Sequence, residues 1–186
     1  MVGREIRLLI TDFDGTLVDT FRANYMAYRK AFEEMGLVLQ ETEYSRCFGY
    51  RFERFMEAVG IEDKQTALKI KELKSIYYPD YFTYLKVNVP LLQWLQVFKR
   101  MGGKIAVAST ARRKNLENVL RYMELLDVFD YVLAGEEVQN GKPSPEIYEK
   151  VLLHFGMSPD EALVFEDSEV GIQSAQSAGI RYIVIK

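Results

Sequence analysis

The sequence has 186 residues, 48% of them hydrophobic, and a formal net charge of −3. This length can bury one ordinary core or one core with an inserted segment, and the acidic balance excludes a broad basic surface for nucleic acid or an anionic membrane. The single cysteine, Cys47, excludes an internal disulfide and a thiolate metal cluster, which is typical of a reducing compartment.

The N-terminal residues 1–5 lack the long apolar stretch of a signal peptide, and no apolar run reaches the roughly 18 residues of a membrane span. We therefore expect a cytoplasmic protein without a membrane or nucleic-acid partner. The sequence carries no signal for an oligomeric state.

The first predicted element is a buried strand over Ile6–Thr11. The following stretch, Val18–Asn88, contains no convincing strand and predicts an all-helical insert. Helices are expected over Phe21–Met35, Arg51–Val59 and Thr66–Tyr78. This pattern predicts a helical cap domain over 18–88 and a core domain formed by 1–17 and 89–186. We expect the many aromatic residues of the cap to form its own core, because a small helical domain needs large side chains.

After the insert, apolar runs of strand length alternate with runs of helical periodicity. The predicted strands are Lys104–Ser109, a weaker Tyr131–Ala134, Ala162–Glu166 and Arg181–Ile185. The predicted helices are Pro90–Met101, Asn115–Leu125, Ser144–Phe155 and Val170–Ala178. Alternation of this kind predicts an α/β fold with a doubly wound parallel sheet.

Two carboxylates, Asp12 and Asp14, directly follow the first predicted strand in the run Asp-Phe-Asp-Gly-Thr, which ends at Thr16. Open α/β sheets bind ligands at the carboxyl ends of their strands, and paired carboxylates there are costly unless they bind a cation or perform chemistry. A solvated Asp-Gly turn is the simpler alternative. An EF-hand is excluded because Leu17 occupies its glycine position and Ala23 its glutamate position.

Three further signals follow other predicted strands or precede helices. Ser109 and Thr110 end the second strong strand, Lys142 precedes a helix, and Glu166 with Asp167 ends the strand that begins at Ala162. Separately, each has an ordinary alternative: a plain turn, a surface lysine, or an N-cap. Together they supply the nucleophile, acid, cation ligands and positive charge that phosphoryl transfer requires.

These runs resemble the four motifs of the haloacid dehalogenase superfamily. The similarity is greatest to the branch of β-phosphoglucomutase and phosphoglycolate phosphatase, in which a helical cap follows the first motif. The runs that begin at Gly141 (Gly-Lys-Pro-Ser-Pro-Glu-Ile-Tyr) and at Phe165 (Phe-Glu-Asp-Ser-Glu-Val-Gly) are specific to that branch. The resemblance spans the whole chain and is weakest in the cap. Similar proteins usually continue beyond the last strand, whereas this sequence ends at Lys186.

The resemblance implies a Mg²⁺-dependent phosphatase for a small phosphorylated metabolite. Asp12 would be the nucleophile that forms an aspartyl-phosphate, and Asp14 the general acid and base. Lys142 would bridge the phosphate and Asp12. The implied magnesium ligands are Asp12, the main-chain carbonyl of Asp14, Asp167 and, directly or through a second shell, Glu166. The implied phosphate or substrate contacts are Ser109, Thr110, Thr16 and Arg51.

Other functions remain open at this stage. A metal-free dehalogenase is disfavoured because Asp14 and the pair Glu166-Asp167 are present. A sugar-phosphate mutase of this branch would carry a histidine near Asn24 and an arginine near Phe52; neither position carries that residue, although Arg51 is adjacent and could shift register. A catalytically inactive regulator and a protein-interaction module that uses the aromatic cap are the alternatives from other classes.

Overall fold

The computed structural model describes residues 5–186 and contains a five-stranded parallel sheet. Its strands are β1 (Leu8–Thr11), β4 (Lys104–Ala108), β5 (Tyr131–Leu133), β6 (Ala162–Glu166) and β7 (Arg181–Val184), in the spatial order β5-β4-β1-β6-β7. Two shorter strands, β2 (Val18–Asp19) and β3 (Lys86–Val87), pair in a separate ladder. The predicted parallel α/β class is confirmed.

Strand β1 lies in the middle of the sheet, and all four of its residues are buried. Side chains alternate between the two faces of a strand, so Leu8 and Ile10 share one face. On that face they join an apolar cluster with the helix residues Ile147 and Val151. A strand that is covered on both faces reads as a continuous apolar run, which explains why the sequence identified β1.

The chain divides into two compact units. One unit contains the sheet and comprises the residues up to Asp19 together with Val87–Lys186, and the other is Thr20–Lys86. The helices of the sheet-containing unit are α5 (Val89–Arg100), α6 (Arg113–Tyr122), α7 (Glu146–Phe155) and α8 (Glu169–Ser177). Their ends agree with the predicted helices to within three residues.

The second unit is helical and has its own core. Its helices are α1 (Phe21–Glu34), α2 (Glu41–Cys47), α3 (Phe52–Ala58) and α4 (Lys64–Tyr77), followed by a 3₁₀ turn over Tyr78–Tyr84. Aromatic side chains dominate this core, with Tyr44 packed edge-on against Phe55 at 5.6 Å between ring centroids. Cys47 is buried in the same cluster.

The prediction for Val18–Asn88 was wrong in two details. The strands β2 and β3 fall at its two ends, and α2 was not predicted. The strands were missed because two residues are too few for an alternating pattern, and α2 because seven residues span only two helical turns.

The predicted absence of a signal peptide concerns residues that include 1–4, which lie outside the described range. Within residues 5–186, none of the helices has the length and apolar character that crossing a bilayer requires.

Candidate active site

Three neighbouring strands bring their C-terminal residues to one edge of the sheet. Thr11, the last residue of β1, pairs in register with Phe165 of β6, and the N–H of Asp12 donates to the Phe165 carbonyl at 2.9 Å. Glu166 ends β6 and Ser109 follows β4 on the other side of β1. The structure therefore brings together the predicted residues of the first, second and fourth motifs.

The Lys142 ammonium lies at the centre of this edge. Its Nζ donates to Asp12 Oδ1 at 2.5 Å, to Glu166 Oε1 at 2.5 Å and to the Ala108 carbonyl at 3.3 Å. These three bonds use all three ammonium hydrogens. The Lys142 side chain is only 3% exposed, so Lys142 is not a solvated surface lysine. Its charge is held in a fixed position.

The loop that carries Lys142 is tied to the start of α7. Glu146, in the first turn of the helix, accepts hydrogen bonds from the main-chain N–H groups of Gln139 and Asn140, each with 2.8 Å between nitrogen and oxygen. These two bonds lower the pKa of Glu146 to about 2. At the other side of the loop, the Ser174 hydroxyl donates to the Ser144 carbonyl at 2.6 Å. The sequence around Lys142 thus fixes the loop at both ends.

Glu166 is fully buried and both of its oxygens are occupied. Oε1 accepts from Lys142 and from the Tyr148 hydroxyl, which is 2.7 Å away. Oε2 accepts from the N–H of Asp167 and from both the N–H and the hydroxyl of Ser168, at 3.0–3.2 Å. A carboxylate offers about four lone-pair sites, and five donors already occupy them.

Close packing of glycines gives the acidic side chains their positions. A Cβ on Gly15, which has a φ of +96°, would overlap the carboxylate of Asp167, and a Cβ on Gly171 would overlap that of Glu166. The ordinary alternative for this acidic pair was that it caps the last helix. The Ser168 hydroxyl is the cap, because it accepts from the N–H of Gly171 at 3.1 Å. Asp167 therefore remains with the acidic cluster.

The electrostatics of the cluster favour a cation. Oxygen atoms of Asp12, Glu166 and Asp167 lie within 4.8 Å of one another. Burial raises the pKa of the Asp12 carboxyl well above its usual value although Lys142 opposes the shift, and burial likewise raises the pKa of Asp167. For Lys142, burial lowers the pKa, but the neighbouring Asp12, Tyr148 and Glu166 together outweigh burial, and the pKa is raised well above its usual value.

When they are ionised, three carboxylates facing one ammonium leave a charge of −2 (three negative, one positive). A divalent cation would neutralise this excess, and hard carboxylate oxygens are the ligands that Mg²⁺ prefers. The donor set therefore fits the predicted ion. Because the oxygens of Glu166 are occupied, Asp12 and Asp167 are the carboxylates with capacity to bind it.

The second carboxylate of the first motif contacts the second motif. The Ser109 hydroxyl donates to Asp14 Oδ2 at 3.2 Å and accepts the N–H of Ala111 at 3.0 Å. The Thr16 hydroxyl, predicted as a phosphate contact, donates to Asp167 Oδ1 at 2.8 Å, and Thr16 is 1% exposed. Thr16 therefore orients an acidic side chain in this structure.

The two remaining predicted phosphate or substrate contacts are Arg51 and Thr110. Arg51 belongs to the helical unit, where it directly precedes α3, so its contact with substrate stays a prediction. Thr110 follows Ser109 in the loop, and a Cβ on Gly135 would collide with the Thr110 carbonyl. His154 stacks on Tyr131 with 3.7 Å between ring centroids.

Tyr148 has a role at the site that the sequence reasoning missed. It appeared only as the last residue of the run that begins at Gly141. A buried tyrosine usually needs a partner for its hydroxyl, and the apolar face of α7 provides none along the helix. That requirement was the available signal, but the identity of the partner, Glu166, depends on how α7 packs on β6.

Comparison with known proteins gives matches along almost the whole chain. A family model described as haloacid dehalogenase-like hydrolase matches residues 9–185. A phosphorylated carbohydrates phosphatase of Thermotoga maritima is 36% identical over 94% of this chain and 82% of its own length. The β-phosphoglucomutase of Bacillus subtilis is 26% identical over 94% of this chain and 81% of its own. The crystal structure of CbbY from Rhodobacter sphaeroides in complex with phosphate superposes with a TM-score of 0.87 at 26% identity, covering 96% of this chain and 85% of that one.

Proposed function

The chain belongs to the haloacid dehalogenase-like hydrolase family, and from this membership we propose that it is a magnesium-dependent phosphatase whose nucleophile is Asp12. The observation that carries the proposal is the position of Asp12, at the end of the central strand and 2.5 Å from a buried ammonium. A carboxylate held against a fixed positive charge can approach an anionic phosphate, which an isolated carboxylate cannot easily do.

The two oxygens of Asp12 have different surroundings. Oδ1 accepts from Lys142, whereas Oδ2 accepts no hydrogen bond from any residue in the described range 5–186. Oδ2 is therefore the oxygen that faces an incoming phosphorus. Attack by Oδ2 forms the bond to phosphorus and breaks the bond between phosphorus and the ester oxygen, giving an aspartyl-phosphate on Asp12 and a free alcohol.

Asp14 transfers the protons in both half-reactions. In the first it protonates the departing ester oxygen, and in the second it accepts a proton from the water that attacks the aspartyl-phosphate. The products are inorganic phosphate and the original Asp12 carboxylate. Ser109, which contacts Asp14 in the structure, supplies a hydroxyl for a phosphate oxygen, and Lys142 stabilises the negative charge on the transferred group.

Magnesium would be held by the carboxylates of Asp12 and Asp167 and by the main-chain carbonyl of Asp14. When bound, the ion supplies positive charge that screens the repulsion between the nucleophile and the phosphate. Thr16 keeps Asp167 oriented for this role through its 2.8 Å hydrogen bond. Glu166 contributes its charge to the cluster and holds Lys142.

The substrate class proposed here is a small phosphorylated metabolite, with sugar phosphates as the first candidates. The support comes from the relative at 36% identity, which is a phosphatase of phosphorylated carbohydrates. A mutase is the second candidate because a β-phosphoglucomutase matches the chain at 26% identity. The absence of a histidine at position 24, where Asn24 stands, favours hydrolysis over the mutase.

The test is release of inorganic phosphate from a panel of phosphorylated sugars and small acids, with magnesium and with a chelator. We expect magnesium-dependent release that Asp12→Asn lowers by at least about a thousandfold. Asp160→Asn, at an exposed position of the same unit, is the matched control and should retain full activity. No release by folded protein would contradict the proposal. Isomer interconversion after addition of a sugar bisphosphate would favour the mutase.

A further inference from the structure

Tyr148 is a large polar side chain in the interior of the sheet-containing unit. It is 0% exposed and belongs to the apolar cluster that packs α7 and α8 on the sheet. Its hydroxyl donates to Glu166 Oε1 at 2.7 Å, and the centroid of its ring lies 5.1 Å from Lys142 Nζ. Tyr148 therefore contacts both members of the Lys142–Glu166 ion pair from the core side of the site.

Two donors share one oxygen of Glu166. Oε1 accepts from Lys142 Nζ at 2.5 Å and from the Tyr148 hydroxyl, and the three donors on Oε2 hold the carboxylate so that it cannot rotate away. A hydrogen bond from a neutral hydroxyl withdraws part of the charge that Oε1 presents to the ammonium. Tyr148 therefore influences how strongly the Lys142 ammonium is attracted to Glu166 relative to Asp12.

We propose that Tyr148 is a positioning residue that weakens the hold of Glu166 on Lys142 and thereby keeps the ammonium directed at Asp12 and the bound phosphate. The expected change in kcat rests on the proposed function. The expected change in the affinity for phosphate does not, because phosphate can bind without turnover. Without the hydroxyl, Lys142 is the only donor to Oε1 within residues 5–186, so the ammonium moves towards Glu166 and stabilises the phosphate less.

The variant Tyr148→Phe removes only the hydroxyl and keeps the ring in the core. With saturating magnesium, we expect kcat to fall about tenfold, and the affinity for inorganic phosphate measured by calorimetry to fall about tenfold. Tyr182→Phe is the matched control, because it makes the same change in the same unit at a hydroxyl that accepts a hydrogen bond from exposed Gln176. It should leave both quantities unchanged.

A double-mutant cycle separates positioning from general loss of structure. In a Lys142→Met background, the added Tyr148→Phe change should have no further effect on phosphate affinity, because the group through which Tyr148 acts is gone. All measurements are made well below the melting temperature of each variant, so that a less stable Tyr148→Phe protein is still folded.

Each outcome decides the inference. Wild-type kcat and phosphate affinity in Tyr148→Phe would overturn it, and so would an equal loss of affinity in the Lys142→Met background. If the wild-type protein releases no phosphate from the panel but Tyr148→Phe still weakens phosphate binding, the proposed function fails and the positioning role stands. If the wild-type protein turns over substrate and only the Tyr148→Phe effect is missing, the proposed function stands and the positioning role fails.

Discussion

Replacement of Gly171 by alanine tests how tightly the last helix packs on the acidic cluster. Gly171 lies in the first turn of α8, where its N–H donates to the Ser168 hydroxyl. A Cβ at this position would fall well inside the van der Waals contact distance of both carboxylate oxygens of Glu166. Because Glu166 is fully buried, either its carboxylate or the start of the helix must move.

The magnitude follows from two opposing effects. Alanine is favoured over glycine in a helix by about 1 kcal/mol. Displacing Glu166 weakens its bonds to Lys142, Tyr148 and Ser168, and each hydrogen bond to a charged group contributes about 1.5–3 kcal/mol. If two of these bonds are lost, the cost is about 3–6 kcal/mol, so we expect a net destabilisation of about 2–5 kcal/mol.

Urea unfolding of Gly171→Ala measures this difference as a lower midpoint at an unchanged slope. The matched comparison is the same substitution in a Glu166→Ala background, where the carboxylate is absent and the penalty should largely disappear. A Gly171→Ala protein as stable as the wild type, or more stable, would refute the packing argument, because helix propensity would then outweigh any displacement of Glu166.

Three further predictions concern the ion, the second motif and the lysine loop. Magnesium at a hundredfold excess over its dissociation constant should stabilise the folded protein by about 2.7 kcal/mol and raise the melting temperature by roughly 5–10 °C. Asp167→Asn should remove most of this shift, whereas the neighbouring exposed Glu169→Gln should retain it; equal shifts in both would contradict the assigned ligand. Gly135→Ala should lower stability by about 1–3 kcal/mol in urea because its Cβ would collide with the Thr110 carbonyl, and an unchanged midpoint would show that the loop yields freely. The pKa of Glu146 is lowered from 4.5 to about 2, so its stabilising effect is present above pH 4.5 and is lost as the pH falls towards 2. Glu146→Gln should therefore be less stable than the wild type at neutral pH and equally stable near pH 2, as followed by urea midpoints across that range; a constant difference at all pH values would exclude the carboxylate as the cause.

The sheet was predictable because buried parallel strands leave a strong local signal. The runs around Ile10 and Val164 are apolar on both faces, and glycine ends the helix after Phe155. The ladder formed by β2 and β3 was not predictable, since two-residue strands are defined by their partner and not by their own sequence.

Much of the candidate site was also visible in the sequence. Asp12, Asp14 and Asp167 each follow a predicted strand, and parallel strands bring their carboxyl ends to the same edge. The roles of Thr16 and Tyr148 were not visible in the same way. The hydroxyl of Thr16 reaches a residue 151 positions away in the chain, and no local pattern encodes a contact of that separation.

The amino-acid sequence by itself determined the order of strands and helices, the helical insert and the residue types at the strand ends, because these depend on local periodicity and on chemistry that is costly elsewhere. Only the tertiary structure decided which donors and acceptors form hydrogen bonds at the site. Lys142 lies between Asp12 and Glu166 because of three tertiary features. These are the register between β1 and β6, the close approach that Gly171 permits, and the burial of Tyr148. Such positions depend on distances set to within a fraction of an ångström by packing, and packing joins residues that are far apart in the chain.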